Sequence, residues 1–231
     1  MQAAILAGGL GTRLWPLTKT VPKPMVPVAG APYLEHQLRL LERQGVLDIL
    51  LLTGYLGEQI EEHFGDGARM GLRIAYSRED SPVGTGGALR LAHHLLADSF
   101  LLIYGDSYLP IDYTVPLRQL ENSDAEGLLV VYDNRQGDTT VKCNVDIDDS
   151  LHVIRYAKDS PDPLAYVEAG VLAFRRRMVD LIPAEGAVSL ETQIFPRLIA
   201  SRRLIAHVTS ERFYDIGTPD RLKVIGKLLA L

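Results

Sequence analysis

Leu6-Ala7-Gly8-Gly9-Leu10-Gly11-Thr12-Arg13-Leu14, followed by Pro22-Lys23-Pro24-Met25, is the most informative stretch of the chain. An apolar run over residues 3–6 precedes it and reads as a buried strand. Three glycines let the backbone turn tightly and approach a ligand with its amide N–H groups outward. Arg13 follows at once, and ten residues later Lys23 is held between two prolines. Bare amides, a planar guanidinium and a stiffly mounted ammonium suit a triphosphate. A dinucleotide fingerprint would need a glycine where Leu14 stands. A P-loop would need Gly-Lys-Ser/Thr, and that tripeptide does not occur.

Outward from this loop the chain alternates. Helical spacing of Leu34, Leu38 and Leu41 stops at Gly45, and residues 49–52 form an apolar strand. A helix is expected over 58–64 and a strand over 73–76. Gly84-Thr85-Gly86-Gly87 opens a helix through 88–96, and a strand over 100–104 ends at Gly105-Asp106. Such alternation predicts an α/β fold: a Rossmann-like, mixed but mostly parallel sheet with helices on both faces. The second half reads as strands at 128–132, 141–147, 152–156 and 167–174, with few helices between them. They predict a smaller antiparallel extension forming one wall of a cleft. Helices are expected at 190–199 and 219–229, around a strand at 204–208.

Composition sets bounds. The chain has 231 residues, 47% of them hydrophobic, and a net charge of −5. That is ample for one core and argues against a broad nucleic-acid footprint. The single cysteine, Cys143, excludes an internal disulfide. Neither a secretory leader nor a membrane span is visible, so a soluble cytoplasmic protein is expected.

The pattern Gly-Gly-x-Gly-Thr-Arg-Leu, then Pro-Lys-Pro, resembles the sugar-1-phosphate nucleotidyltransferases, also called sugar nucleotide pyrophosphorylases. The resemblance runs from Met1 to about Leu222. It implies one NTP-transferase domain over 1–231, with a nucleotide-binding part at 1–110 and a sugar-phosphate-binding part at 111–231. No hexapeptide repeat follows, so no C-terminal β-helix domain is expected. Implied partners are a nucleoside triphosphate and a sugar 1-phosphate, with Mg²⁺ as cofactor. Neither nucleic acid nor membrane is implied, and a homo-oligomer is compatible. The combination of Gly-Thr-Gly-Gly-Ala (84–88), Ser189-Leu190-Glu191, Ile194-Phe195-Pro196 and Tyr214-Asp215-Ile216-Gly217 looks most like the short bacterial heptose or mannose 1-phosphate guanylyltransferases. A uridylyltransferase for muramic acid or amino-sugar phosphates is the near alternative. A regulatory paralogue without activity should lack Arg13, Lys23 or a metal aspartate. A cytidylyltransferase for a phospho-alcohol should have a shorter second half.

The resemblance also assigns residues. Leu6, Ala7, Gly8, Gly9, Gly11 and Thr12 would cradle the nucleotide. Arg13 would stabilise the leaving pyrophosphate, and Lys23 would neutralise oxygens at the reacting phosphorus. Gly84, Thr85 and Gly87 would lie against the base. Asp106, at the carboxyl end of a strand, is placed to hold Mg²⁺ through few protein oxygens. Asp215 taken alone reads as a helix cap before Pro219; the phrase Tyr-Asp-Ile-Gly-Thr-Pro resembles the family's second metal segment. Asp112 is a weaker candidate, read as a surface loop residue. Glu79, an acceptor five positions before Gly84, would suit guanine's two adjacent donors, or it faces solvent within Arg78-Glu79-Asp80. Asn144, Lys158, Glu168 and Gly170 fall where the family binds sugar and phosphate. Ala157-Lys158-Asp159 departs from the family's Glu-Lys, and the alternative is a surface pair of Lys158 with Asp159, with Arg155 taking the phosphate. Glu168 reads equally as an exposed strand residue.

Overall fold

The computed structural model describes residues 1–134 and 139–230. The first part contains β1 (Gln2–Leu6), β2 (Pro27–Val28), β3 (Ala31–Pro32), α1 (Tyr33–Arg43), β4 (Asp48–Thr53), α2 (Gly57–Phe64), β5 (Arg73–Arg78), α3 (Gly84–Leu91) and β6 (Ser99–Tyr104). Then come β7 (Ser107–Tyr108), α4 (Thr114–Glu121), β8 (Gly127–Asp133), β9 (Val145–Ile147), β10 (Val153–Tyr156) and β11 (Tyr166–Arg175). The chain closes with α5 (Phe195–Ala200), β12 (Leu204–Thr209), β13 (Tyr214–Asp215) and α6 (Pro219–Leu229).

One nine-stranded sheet organises the molecule, in the order β10-β9-β11-β6-β1-β4-β5, with β8 also pairing β11 and β12. β1 lies parallel between β4 and β6, with Ala4 opposite both Leu50 and Leu102. Side chains alternate along each strand, so β1 feeds two cores. Ala3 and Ile5 face a core shared with Leu34 and Leu38 of α1, Ile60 of α2, Leu120 of α4 and Ile225 of α6. Ala4 faces the opposite core, with Leu89 of α3 and Phe195 and Leu198 of α5. Because both faces are covered, the central strands read as continuous apolar runs.

The second half extends the sheet largely through antiparallel pairs, as expected. β11 is inserted antiparallel beside β6, with Val171 opposite Ile103, and β12 runs parallel to β8. β11 therefore extends the main sheet, and both β9–β10 and β8–β12 continue from it. Residues 141–144 are not strand; pairing begins at Val145. The helix α4 was not anticipated, because Pro116 interrupts a run of only eight residues. Its Leu117 and Leu120 nevertheless bury one face. The helix expected through 96 ends at Leu91, and a 3-10 turn, His93–Leu95, completes it. The helix expected from 190 starts instead as a π-helical turn, Leu190–Ile194, before α5.

Candidate active site

A cleft of about 390 Å³ opens beyond the carboxyl ends of β1, β4 and β6, where open α/β sheets bind ligands. Leu6, Ala7, Gly8, Gly9 and Leu10 form one wall; Glu79, Gly84 and Thr85 form the next. Gly105 and Asp106 supply the floor, and Lys23, Lys158 and Glu191 reach in. The glycine loop is fixed at its base, where Ala7 N–H donates to Leu52 O at 2.8 Å. A Cβ at Gly8 would sit 2.9 Å from the Glu79 carboxylate and 3.3 Å from Gly54 N, so a side chain there would push Glu79 aside.

Asp106 follows β6 and is held by α1. Tyr33 Oη donates to Asp106 O at 3.1 Å, and Gln37 Nε2 donates to Tyr104 O at 2.9 Å and also to Ser107 O. Gly105 N–H donates to Leu6 O, so the ends of β6 and β1 are tied. The Asp106 carboxylate is ion-paired with Lys23, whose short helical turn, Lys23–Met25, has Pro24 inside it. Gln37, 3% exposed, has no motif around it and was not legible as a support of the site.

Asp215 is brought to Asp106 by a two-stranded ribbon. β13 pairs antiparallel with β7, placing Asp215 opposite Ser107, and Ile216 N–H donates to Asp106 O at 3.0 Å. Tyr33 senses both carboxylates. Burial first, then Asp106 and Asp215, push its hydroxyl well above the ordinary tyrosine pKa. The helix-cap reading of Asp215 fails, because the cap of α6 is Thr218, which accepts from Arg221 N. Asp215 instead accepts from Gly217 N–H at 2.7 Å and pairs with the Arg221 guanidinium at 3.1 Å. Asp106, just before β7, and Asp215, on β13, are hard oxygen donors of the kind and number a magnesium ion takes from protein, although Lys23 and Arg221 engage them here and Asp215 lies outside the cleft lining. Among the described residues no group of three or more His, Cys, Asp or Glu forms a metal cage. Arg13 lies on an exposed 3-10 turn, Thr12–Leu14, outside the cleft lining. Its guanidinium stands about 3.5 Å from where a side chain at Gly217 would begin, beside the Asp215 segment. Gly11 and Thr12 also lie outside the lining. Asp112 is a loop residue that accepts from Thr114 N–H and Oγ1, before α4.

Glu79 lines the cleft, half-buried. Its Oε2 accepts from Val83 N–H at 3.1 Å, and burial raises its pKa against that bond. The first turn of α3, with Val83 before it, is laced to the segment at 188–191. Gly86 N–H donates to Val188 O at 2.8 Å, and Val188 N–H to Val83 O at 2.8 Å. Gly84 needs φ of +77°, and a Cβ there would meet Val188 O at 2.5 Å.

The sugar-side candidates form a second cluster. Glu168 is 8% exposed, not an exposed strand residue. Its carboxylate accepts from Gly170 N–H at 2.9 Å and from Tyr156 Oη at 3.3 Å. Asn144 Oδ1 accepts from Glu168 N–H at 2.8 Å, so Asn144, Glu168 and Gly170 are joined but do not line the cleft directly. Burial, then the nearby Glu191 charge, pushes Glu168 up to about 7, against the pull of Gly170, Lys158 and Tyr156. Lys158 lies in the turn after β10, and its ammonium pairs with Glu191 at 3.3 Å rather than with Asp159. Arg155 is engaged elsewhere, with Ser160 and Asp162. Glu191 was quoted in a motif but not recognised as a site residue. Burial pushes its pKa up, yet Lys158 and its hydrogen-bond donors outweigh burial and leave it lowered.

The family model described as Nucleotidyl transferase matches residues 2–229. The chain is 34% identical over 224 residues to a mannose-1-phosphate guanylyltransferase of Mycobacterium tuberculosis, covering 95% of this chain and 62% of that protein. It thus spans about three-fifths of that relative's length. It is 30% identical over 220 residues to the D-glycero-alpha-D-manno-heptose 1-phosphate guanylyltransferase of Campylobacter jejuni, covering 95% of this chain and 96% of that one. The crystal structure of HddC from Yersinia pseudotuberculosis complexed with GMP-PN matches with a TM-score of 0.83 at 27% identity, covering 99% of each chain.

Proposed function

The chain belongs to the nucleotidyl transferase family, and from that premise we propose that it joins GTP to a sugar 1-phosphate of the mannose or heptose type. The products are the NDP-sugar and pyrophosphate. The observation that carries this reading is the cleft itself. A glycine loop, the Lys23–Asp106 pair and an inward-facing Glu79 meet at the ends of parallel strands. In-line attack on the α-phosphorus asks the protein mainly for positioning and charge neutralisation. The amides at 8–11 bind phosphate oxygens. Lys23 leaves its pair with Asp106 for an oxygen at the reacting phosphorus, and Arg13 stabilises the departing pyrophosphate.

Asp106 and Asp215 would hold Mg²⁺, which supplies positive charge between the phosphate groups. Glu79 keeps Oε1 available for guanine's donors, while its Oε2 is bound to Val83. Lys158 binds the phosphate of the incoming sugar, with Glu168, Asn144 and Gly170 shaping the hydroxyl side. The nucleotide part runs through about residue 110 and the sugar-phosphate part follows it. A water-soluble, cytoplasmic setting without nucleic acid or membrane belongs to the same reading; among the described residues no helix is long and apolar enough to cross a membrane.

Purified protein assayed with a panel of nucleoside triphosphates and sugar 1-phosphates, following pyrophosphate release, tests the proposal. Turnover is expected with GTP and mannose or heptose 1-phosphate at pyrophosphate rates well above those with UTP or dTTP. A preference for UTP with an amino-sugar phosphate would replace the guanylyl reading.

A further inference from the structure

We propose that Glu191 is a positioning residue that holds the Lys158 ammonium in the cleft, at the point where the sugar phosphate enters. The inference rests on the reading above, in which Lys158 meets that phosphate. Glu191 opens the π-helical turn at its second position, and such turns collect at functional sites. Its carboxylate has four partners. Oε2 accepts from Thr85 Oγ1 at 3.0 Å and Ser189 Oγ at 2.8 Å. Oε1 accepts from Tyr104 Oη at 3.1 Å and Lys158 Nζ at 3.3 Å.

The exposures of the two charged partners are unequal. The Glu191 side chain is 8% exposed, whereas that of Lys158 is 58% exposed. An ion pair to so exposed a lysine adds little to stability. It does not repay the burial of a carboxylate. Three of the partners are hydroxyls, which can turn to accept from an amide N–H as well as donate to an amide oxygen. The ammonium is the partner for which a negative charge is needed. An ammonium has three donors, and Glu191 engages one, so two remain for phosphate oxygens. Thr85 belongs to the first turn of α3, laced to this same segment, and Leu190 N–H donates back to Thr85 Oγ1 at 2.8 Å. One carboxylate thus sets the lysine in register with the base-side wall.

The test is a double-mutant cycle on the full chain. Glu191→Gln keeps the shape and removes the charge, with the Thr85 and Ser189 hydroxyls free to turn and accept from the new amide N–H. It should raise KM for the sugar 1-phosphate about tenfold, the loss of one charge-assisted contact, and leave KM for the nucleotide within about twofold. In a Lys158→Met background the same substitution should add less than about twofold, because its effect passes through the lysine. Glu191→Asp, which keeps the charge but withdraws it by one methylene, carries the same readouts should the glutamine variant fail to fold. Equal effects of Glu191→Gln with and without Lys158, or equal rises in both KM values, would overturn the inference while leaving the reaction intact. A wild-type chain inactive with every substrate pair would overturn both.

Discussion

At the scale of single residues, the cations of the proposed phosphate site contribute little to the fold. Arg13 is exposed on its turn, and Lys23 spans the cleft to Asp106. Arg13→Ala and Lys23→Ala should therefore fold normally and lose turnover by about a hundredfold or more, as when one preorganised charge partner is removed from a transition state. Pyrophosphate release near the wild-type rate in either folded variant would remove that residue from the site. Glu168 obeys a different logic. Its carboxyl is pushed up to about 7 from an ordinary 4.5, chiefly by burial. The folded chain keeps this proton between those values while the unfolded chain has lost it. More protons are then bound in the folded state, so stability falls as pH rises through the window. The stabilising contribution is complete below about 4.5 and gone above about 7, an upper bound of roughly 3–4 kcal/mol at about 1.4 kcal/mol per unit. Glu168→Gln should flatten that slope, and denaturant midpoints at pH 5 and pH 8 measure it. A wild-type slope retained in the glutamine variant would assign it to other groups.

At the scale of elements, Gly84→Ala should destabilise the first turn of α3. The residue sits at φ of +77°, and its Cβ would press on Val188 O, a backbone atom tied into the same lacing. A loss of more than about 1 kcal/mol is expected from the dihedral alone. An unchanged thermal midpoint would mean that the lacing gives way without cost. The contrast between this turn and its partner shows what was legible in the sequence. The glycine cluster and its following helix were readable because glycine positions and apolar spacing are local signals. The opposite side of the lacing, from Val188 through the π-turn, follows from contacts about a hundred residues apart and leaves no local pattern. The same reason hid Gln37, a polar residue inside a helix whose partners are carbonyls beyond β6. It also made Glu168 ambiguous, since burial of an alternate strand residue depends on which strand covers it. Arg13, Lys23 and Asp215 could be named from motifs and Asp106 from a strand end, but of these only Lys23 and Asp106 line the cleft. That Asp215 pairs with Arg221 while Thr218 caps α6 needed the structure.

At the scale of the whole molecule, β11 is the element that makes the two halves of the sequence one body. It hydrogen-bonds to β6 on one side and β8 on the other, and its residues from Val167 to Phe174 are buried. Phe174, fully buried, lies 6.3 Å from Phe100 of β6 and 6.4 Å from Phe195 of α5, ring centroid to centroid. A seam between nucleotide and sugar sides would have to run through this aromatic row. Phe174→Ala should cost about 3–5 kcal/mol, the transfer of a phenyl ring plus the cavity left behind. The loss should appear equally at both ends of the molecule. Trp15, the one tryptophan of the chain, stands 55% exposed beside the glycine loop and reports on the first half. Far-UV circular dichroism reports on the whole. Both signals should move to the same lower denaturant midpoint, because a sheet paired continuously across β6, β11 and β8 has no place to separate. If the tryptophan transition stayed at its wild-type midpoint while the dichroism shifted, the halves would be separate cooperative units and β11 a contact between them.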